Sequence, residues 1–185
     1  MTDLAQAKIR EVLRPGELAV DATVGNGLDT FFLADTVGPQ GHVIGFDIQQ
    51  TALERTTIIL GEAGLLTRVK LLRCGHESMT QELPALWQGR IKAVMFNLGY
   101  LPRGNKAIIT RPETTIPAVN AAAALLCSGG RITLVLYQGH NGGREETQQL
   151  KDWAQKLPSI DYEVELTLPE SFVDDAPELL VISKR

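Results

Sequence analysis

The stretch Glu17-Leu18-Ala19-Val20-Asp21-Ala22-Thr23-Val24-Gly25-Asn26-Gly27-Leu28-Asp29 changes character twice within thirteen residues. An apolar run closing on Asp21 predicts a β-strand near 17–22. Gly25 and Gly27 then form a turn, and the apolar spacing that follows predicts a helix near 27–37. A strand that feeds a helix through two glycines leaves bare backbone N–H groups at a helix N-terminus, where a ligand can come close. A dinucleotide would want a third glycine near Thr30, and its pyrophosphate would sit poorly against Asp21 and Asp29. The acidic turn suits a cationic ligand instead.

Outward from this unit the same alternation continues. Strands are predicted near 17–22, 42–47, 68–73, 91–97, 131–138, 161–167 and 178–183. Helices are predicted near 27–37, 49–63, 77–87, 112–127 and 143–157, after an N-terminal helix ending near Arg14-Pro15-Gly16. Gly61, Gly64, Gly129 and Gly130 are helix stop signals. Apolar strands alternating with helices make a mostly parallel sheet with helices on both faces. The last two strands have no helix between them, so they must pair antiparallel, and the sheet carries one reversed strand at or near its edge. The expected fold is a Rossmann-like α/β domain with a seven-stranded sheet, a single unit over residues 1–185.

Bulk properties narrow the class. With 185 residues, 44% of them apolar, the chain has enough material for one core. A net charge of −4 argues against adhesion to nucleic acid by bulk electrostatics. Cys74 and Cys127 are the two cysteines, which suggests a reducing compartment and no disulfide framework. Charged residues near the N-terminus break any signal-peptide core, and no apolar run approaches a membrane span. A soluble cytoplasmic protein is expected. Cys74 and His76 do not complete a metal shell, so no metal site is expected.

Two further strand ends carry polar residues. Asp47 closes the second strand 20 residues after Gly27, the spacing of a carboxylate that accepts ribose hydroxyls. Gln49 lies close enough to share that subsite. Cys74-Gly75-His76-Glu77 closes the third strand, where the Gly75 amide, His76 and Glu77 can meet an adenine edge, although Glu77 could equally cap the next helix. The pattern Asp21-x-x-x-Gly25-x-Gly27 resembles motif I of class I methyltransferases, whose acidic residue helps to hold the amino acid end of S-adenosylmethionine. That resemblance makes S-adenosyl-L-methionine the expected cofactor. Its candidate binding residues are Asp21, Thr23, Gly25, Asn26, Gly27, Asp29, Asp47, Gln49, Gly75, His76, Glu77 and Asn97.

The segment from Asn97 to Pro112 is the longest without periodicity, and it follows the fourth strand, beside the glycine turn. Asn97-Leu98-Gly99-Tyr100 resembles the Asn-Pro-Pro-Tyr loop of amino-group methyltransferases, in which the asparagine grips the acceptor amine. Leu98 and Gly99 replace both prolines, which moves the expected acceptor from a planar base amine toward an aliphatic amine. Tyr100 either stacks on a base or covers the core. After the fifth strand, Tyr137 through Glu146 crowds glycine and polar residues at the crevice mouth. His140 there is either a general base for a charged amine or a solvated turn histidine. Arg103, Lys106, Arg111 and Arg144 form a basic rim for phosphates or an ordinary solvated loop.

Together Asp21–Thr30, Gly45–Gln50, Cys74–Glu77, Phe96–Pro102, Ile109–Thr115 and Leu134–Glu146 resemble the family first described as "putative rRNA methylases". That family is now associated with the tRNA methyltransferase acting on 5-aminomethyl-2-thiouridine. The resemblance runs from Asp21 to Ala176-Pro177-Glu178-Leu179-Leu180. It implies a methyl transfer to the aliphatic amine of a modified wobble uridine in the tRNA anticodon. It places Asn26, Gly27, Asp29, Asp47, Gln49, His76 and Glu77 around the cofactor, and Asn97, Tyr100, Tyr137 and His140 toward the acceptor. The alternatives are an rRNA base and a small-molecule amine. A homodimer is expected, since small members of this fold often enlarge their surface by pairing.

Overall fold

Residues 1–100, 108–169 and 175–185 are described in a computed structural model of the chain. The N-terminal helix α1 spans Thr2–Arg10 and precedes the strand β1, Leu18–Asp21. Then come α2 (Leu28–Thr36), β2 (His42–Phe46), α3 (Gln50–Glu62), β3 (Val69–Leu72), α4 (Met79–Glu82) and β4 (Ile91–Leu98). The chain closes with α5 (Pro112–Leu125), β5 (Leu126–Leu136), α6 (Gly143–Ala154), β6 (Tyr162–Thr167) and β7 (Glu178–Lys184).

The strands form one sheet in the order β3-β2-β1-β4-β5-β7-β6. β7 runs antiparallel to both β5 and β6, so the reversed strand sits one place in from the edge. The other pairings are parallel. Winding proceeds outward from β1 through β2 to β3, then returns to the far side of β1 with β4. That switch of direction opens a crevice at the carboxyl ends of β1 and β4.

Both faces of the sheet are covered, which is why β1 and β4 read as continuous apolar runs. Alternate residues serve opposite layers. Val20, Val94, Phe96 and Ile132 pack toward Ala118, Val119 and Ala122 of α5. Ala19, Val43, Ala93 and Met95 share the other core with Ile9 of α1, Phe32 and Leu33 of α2, and Leu60 of α3. α1 is tied down at its C-terminal half. Arg131 of β5 donates to the Lys8 carbonyl at 2.7 Å and to Glu11 at 2.6 Å, while Lys8 pairs with Glu165 of β6 at 2.9 Å.

Two predicted boundaries differ most. The helix expected near 77–87 is three short pieces: a 3₁₀ turn at His76–Ser78, α4, and a second 3₁₀ turn at Ala85–Trp87. Pro84 has no N–H to donate and drives Leu83 into extended backbone, ψ 140°. At Gly129 and Gly130 no helix stops; the helix ends at Leu125 and β5 begins at Leu126, five residues before the expected 131. The β4–β5 register shifts between Ile91 and Ala93, and the positive φ of Gly129, 69°, lies in that irregular stretch. Among the described residues no helix is long and apolar enough to cross a membrane.

Candidate active site

The turn between β1 and α2 is built by its own acidic residues. Asp21 is fully buried; it accepts the Thr23 backbone N–H at 3.0 Å and the Thr30 hydroxyl at 2.6 Å. This changes the reading of Asp21 as a group that touches a ligand: both its oxygens serve the turn from behind. Burial, and then the neighbouring Asp29 charge, push its carboxyl up to about 7. Gly27 caps α2 with φ 79°, and a Cβ there would lie 2.6 Å from the Thr56 hydroxyl. Only glycine meets both conditions without strain. Asn26 is held by Arg55 of α3 through its side-chain oxygen.

Asp47 closes the crevice on the β2 side. One of its oxygens accepts the Gly25 N–H and the other the Gln49 N–H, both at 2.8 Å. Each oxygen keeps a further lone pair for hydroxyl donors. Gln49 is the residue before α3, and Ile48 beside it is 52% exposed, an apolar surface that the sequence reading did not single out.

At the end of β3, His76 is buried. Its Nδ1 donates to the Ala22 carbonyl at 3.1 Å, and its ring lies 5.7 Å from that of Phe96. Burial pushes its pKa below the ordinary value and so favours the neutral ring. His76 therefore ties β3 to the glycine turn. Glu77 is exposed and makes no capping bond; its carboxylate folds back over Gly75, 2.2 Å from where a Cβ on that residue would lie.

Asn97 joins the turn to the end of β4. Its backbone N–H donates to the Thr23 hydroxyl at 2.7 Å, and its side-chain Nδ2 donates to Asp29 Oδ2 at 3.2 Å. The other Asp29 oxygen accepts from Gln6 of α1 at 2.7 Å. With Nδ2 turned toward Asp29, the Asn97 Oδ1 is left as an acceptor. Past Asn97, Gly99 adopts φ 149°, and a Cβ on it would come within 3.6 Å of Tyr137 and 3.7 Å of His140. Tyr100 meets the His140 ring edge-on at 6.4 Å. The structure thus brings Gly99, Tyr100, Tyr137 and His140 into one corner, with Asn97 two residues back on β4.

His140 Nδ1 lies 3.2 Å from the Asn141 carbonyl, which can only accept, so Nδ1 donates and, in the neutral ring, Nε2 carries the lone pair. Nε2 is buried and has no partner among the described residues. Gly143 makes room for it, because a Cβ there would sit 2.9 Å from Nε2 and 2.6 Å from the Tyr137 carbonyl. A cavity of 510 Å³ beside it is lined by Gln138, His140, Asn141, Arg144, Glu145 and Asp175, among others. Of the expected basic rim, Arg103 and Lys106 lie outside the described residues, as do Leu101 and Pro102. Arg144 grips Asp175 with two nitrogens, at 2.8 and 3.0 Å.

Two supports of the site were not foreseen. Glu146 of α6 is buried and accepts the hydroxyls of Thr110 at 2.7 Å and Thr115 at 2.6 Å, fixing the return of the β4 loop. Thr110 and Thr115 belong to the Ile109–Thr115 run, but the partner that fixes them sits on α6. Gln6 carries no motif at all. Among the described residues no cluster of His, Cys, Asp or Glu could hold a metal ion.

The sequence profile of a family described as "Putative rRNA methylase" matches residues 43–183. A chloroplastic tRNA (mnm(5)s(2)U34)-methyltransferase of Arabidopsis thaliana is 41% identical over 169 residues, 87% of this chain. The chain spans 61% of that relative's length. A "putative rRNA-methylase" of Clostridium thermocellum superposes with a TM-score of 0.94 at 40% identity, covering 100% of this chain and 97% of that one. A "putative methyltransferase" of Streptococcus mutans, solved in complex with SAH, superposes with a TM-score of 0.88 at 31% identity and the same coverage.

Proposed function

The chain belongs to the "Putative rRNA methylase" family, and from that premise we propose that it is an S-adenosylmethionine-dependent N-methyltransferase of tRNA. Its acceptor is the aliphatic amine of 5-aminomethyl-2-thiouridine at the wobble position. The fold is that of class I methyltransferases, as the two superposed structures show. The reading of the cofactor is supported by the SAH complex of the Streptococcus mutans relative and by the turn itself. Asp29 and Asp47 place carboxyl groups beside the turn, which suits a ligand that carries positive charge, while Asp21 braces the turn from behind. Gly25, Asn26 and Gly27 present backbone, and Asp47 keeps lone pairs for ribose hydroxyls. Gln49, the Gly75 amide and Glu77 border the same crevice.

When bound, S-adenosylmethionine supplies an electrophilic methyl group on a sulfonium. The protein's own contribution is placement and proton removal. The observation that carries the acceptor assignment is the Asn97 amide, anchored through Nδ2 on Asp29 so that Oδ1 can accept from an amine N–H. An aliphatic ammonium must lose a proton before its nitrogen can attack. His140 has the fitting tautomer, with a bare and buried Nε2. Tyr100 and Tyr137, both partly exposed, flank that corner as surfaces for the base.

The wobble-uridine assignment is also supported by the name of the Arabidopsis thaliana relative. Nucleoside mass spectrometry of tRNA from cells lacking the protein tests it. The expected result is accumulation of the 5-aminomethyl nucleoside and loss of its methylated form. Purified protein offered the hypomodified tRNA, rRNA and the free aminomethyl nucleoside should prefer the tRNA. Preference for the free nucleoside would overturn the tRNA reading. The homodimer is part of the same proposal, supported by how commonly soluble domains pair about a twofold axis, and sedimentation velocity tests it.

A further inference from the structure

Asp29 is only 6% exposed, and both its oxygens are engaged from different parts of the chain. Oδ1 accepts from Gln6 of α1 at 2.7 Å, and Oδ2 accepts from Asn97 at the end of β4 at 3.2 Å. We propose that Gln6 is a positioning residue for methyl transfer, acting through Asp29 to fix which edge of the Asn97 amide faces the acceptor. The inference rests on the reading of Asn97 as the group that accepts from the amine.

The physical basis is the asymmetry of the amide. An asparagine side chain offers an acceptor on one edge and two donors on the other, and a rotation of half a turn exchanges them. Only the acceptor edge can hold an amine N–H without opposing the nitrogen lone pair. An ionised carboxylate accepts and does not donate, so Asp29 holds Nδ2 inward and leaves Oδ1 outward. Asp29 must itself stay ionised and oriented. Burial pushes its carboxyl above the ordinary value, and the Gln6 and Asn97 donors pull against that shift.

Gln6 is well placed to do this because α1 is not loose. Ala5 and Ile9 on either side of it are buried in the core, and Arg131 grips the helix at Lys8 and Glu11. Without the Gln6 donor, Oδ1 of Asp29 lacks a partner in a nearly closed space. The carboxylate can then swing toward Nδ2 or take up a proton, and either change frees the Asn97 amide to turn.

Gln6→Ala and the shape-preserving Gln6→Met, in the full chain, test the proposal. Three quantities are read: the side-chain amide NMR signals of Asn97, S-adenosylmethionine affinity by calorimetry, and single-turnover methyl transfer to tRNA carrying 5-aminomethyl-2-thiouridine. Both variants should shift the Asn97 amide signals and speed their exchange with water. Transfer should slow by about tenfold while cofactor affinity changes by less than about twofold. In an Asn97→Ala background the Gln6 change should cost less than about twofold more, as expected of a residue acting through Asn97. Unmoved Asn97 signals, or an equal loss in both backgrounds, would overturn it. If the wild-type protein fails to methylate that tRNA, the proposed function falls, and the Asn97 signals still decide the role of Gln6.

Discussion

The Thr23 hydroxyl accepts the Asn97 backbone N–H at 2.7 Å, joining the turn after β1 to the end of β4 across the mouth of the crevice. Thr23→Val keeps the shape and removes the acceptor, leaving a partly buried donor without a partner. Stability should fall by about 1–2 kcal/mol, measured as a shift in the urea midpoint at constant slope. Transfer should slow as well, since Asn97 would no longer be held against the turn. A variant with unchanged midpoint and rate would show that this bond does not align the two edges.

Gly27 combines a left-handed backbone with a crowded site, so Gly27→Ala should lose about 1–3 kcal/mol. The two causes are separable. Thr56→Ala removes the hydroxyl that a new Cβ would approach at 2.6 Å, while leaving φ at 79°. The double variant should regain part of the melting temperature by calorimetry, never all of it. Equal melting temperatures for Gly27→Ala and the double variant would mean that the clash contributes nothing.

Asp21 should make stability depend on pH with an unusual sign. Its folded-state value is raised from 3.8 to about 7, so the folded protein keeps a proton that the unfolded chain releases between those values. The stabilisation from the protonated form is fully present below the unfolded value and is lost as pH rises through about 7. Asp21→Asn can accept from Thr23 and donate to the Thr30 hydroxyl, with no titration. The variant should therefore gain on the wild type by more than about 1 kcal/mol between about pH 5 and pH 8. Urea titrations at several pH values measure the gap, and a constant gap would disprove the assignment.

Glu146 connects α6 to the residues that bring the β4 loop back into the fold. Glu146→Ala strands the hydroxyls of Thr110 and Thr115 and should cost about 2–3 kcal/mol. Glu146→Gln, which can accept from one hydroxyl and donate to the other, should cost less than about 1 kcal/mol. On the proposed function, the alanine variant should in steady-state kinetics raise KM for tRNA more than KM for S-adenosylmethionine, because Thr110 and Thr115 follow the β4 end that carries Asn97.

Much of this was legible because local chemistry governed it. The β1 run, Gly25 and Gly27 fix a strand, a turn and a helix within one short segment, and Asp47 could be placed by spacing alone. No helix is predicted between the last two strands, which requires them to pair antiparallel, and β6 and β7 do so. Other features depend on partners remote in sequence. Asp21 and His76 carry motif positions, yet both face inward, because Thr30 and the Ala22 carbonyl hold them there. Pro84 lies within the helix expected near 77–87 and divides it, since it lacks an N–H and disfavours helical backbone at Leu83.

By itself the sequence determined the order of strands and helices, the glycine turn and the acidic character of the crevice. Those follow from side-chain periodicity and from backbone conformations open to glycine, which act over a few residues. Tertiary structure alone decided which groups meet. Gln6, Asp29 and Asn97 come together because α1 packs beside α2 while β4 lies next to β1 in the sheet. A hydrogen bond forms only within about 3 Å, and no spacing in the chain encodes that distance between residues on three separate elements.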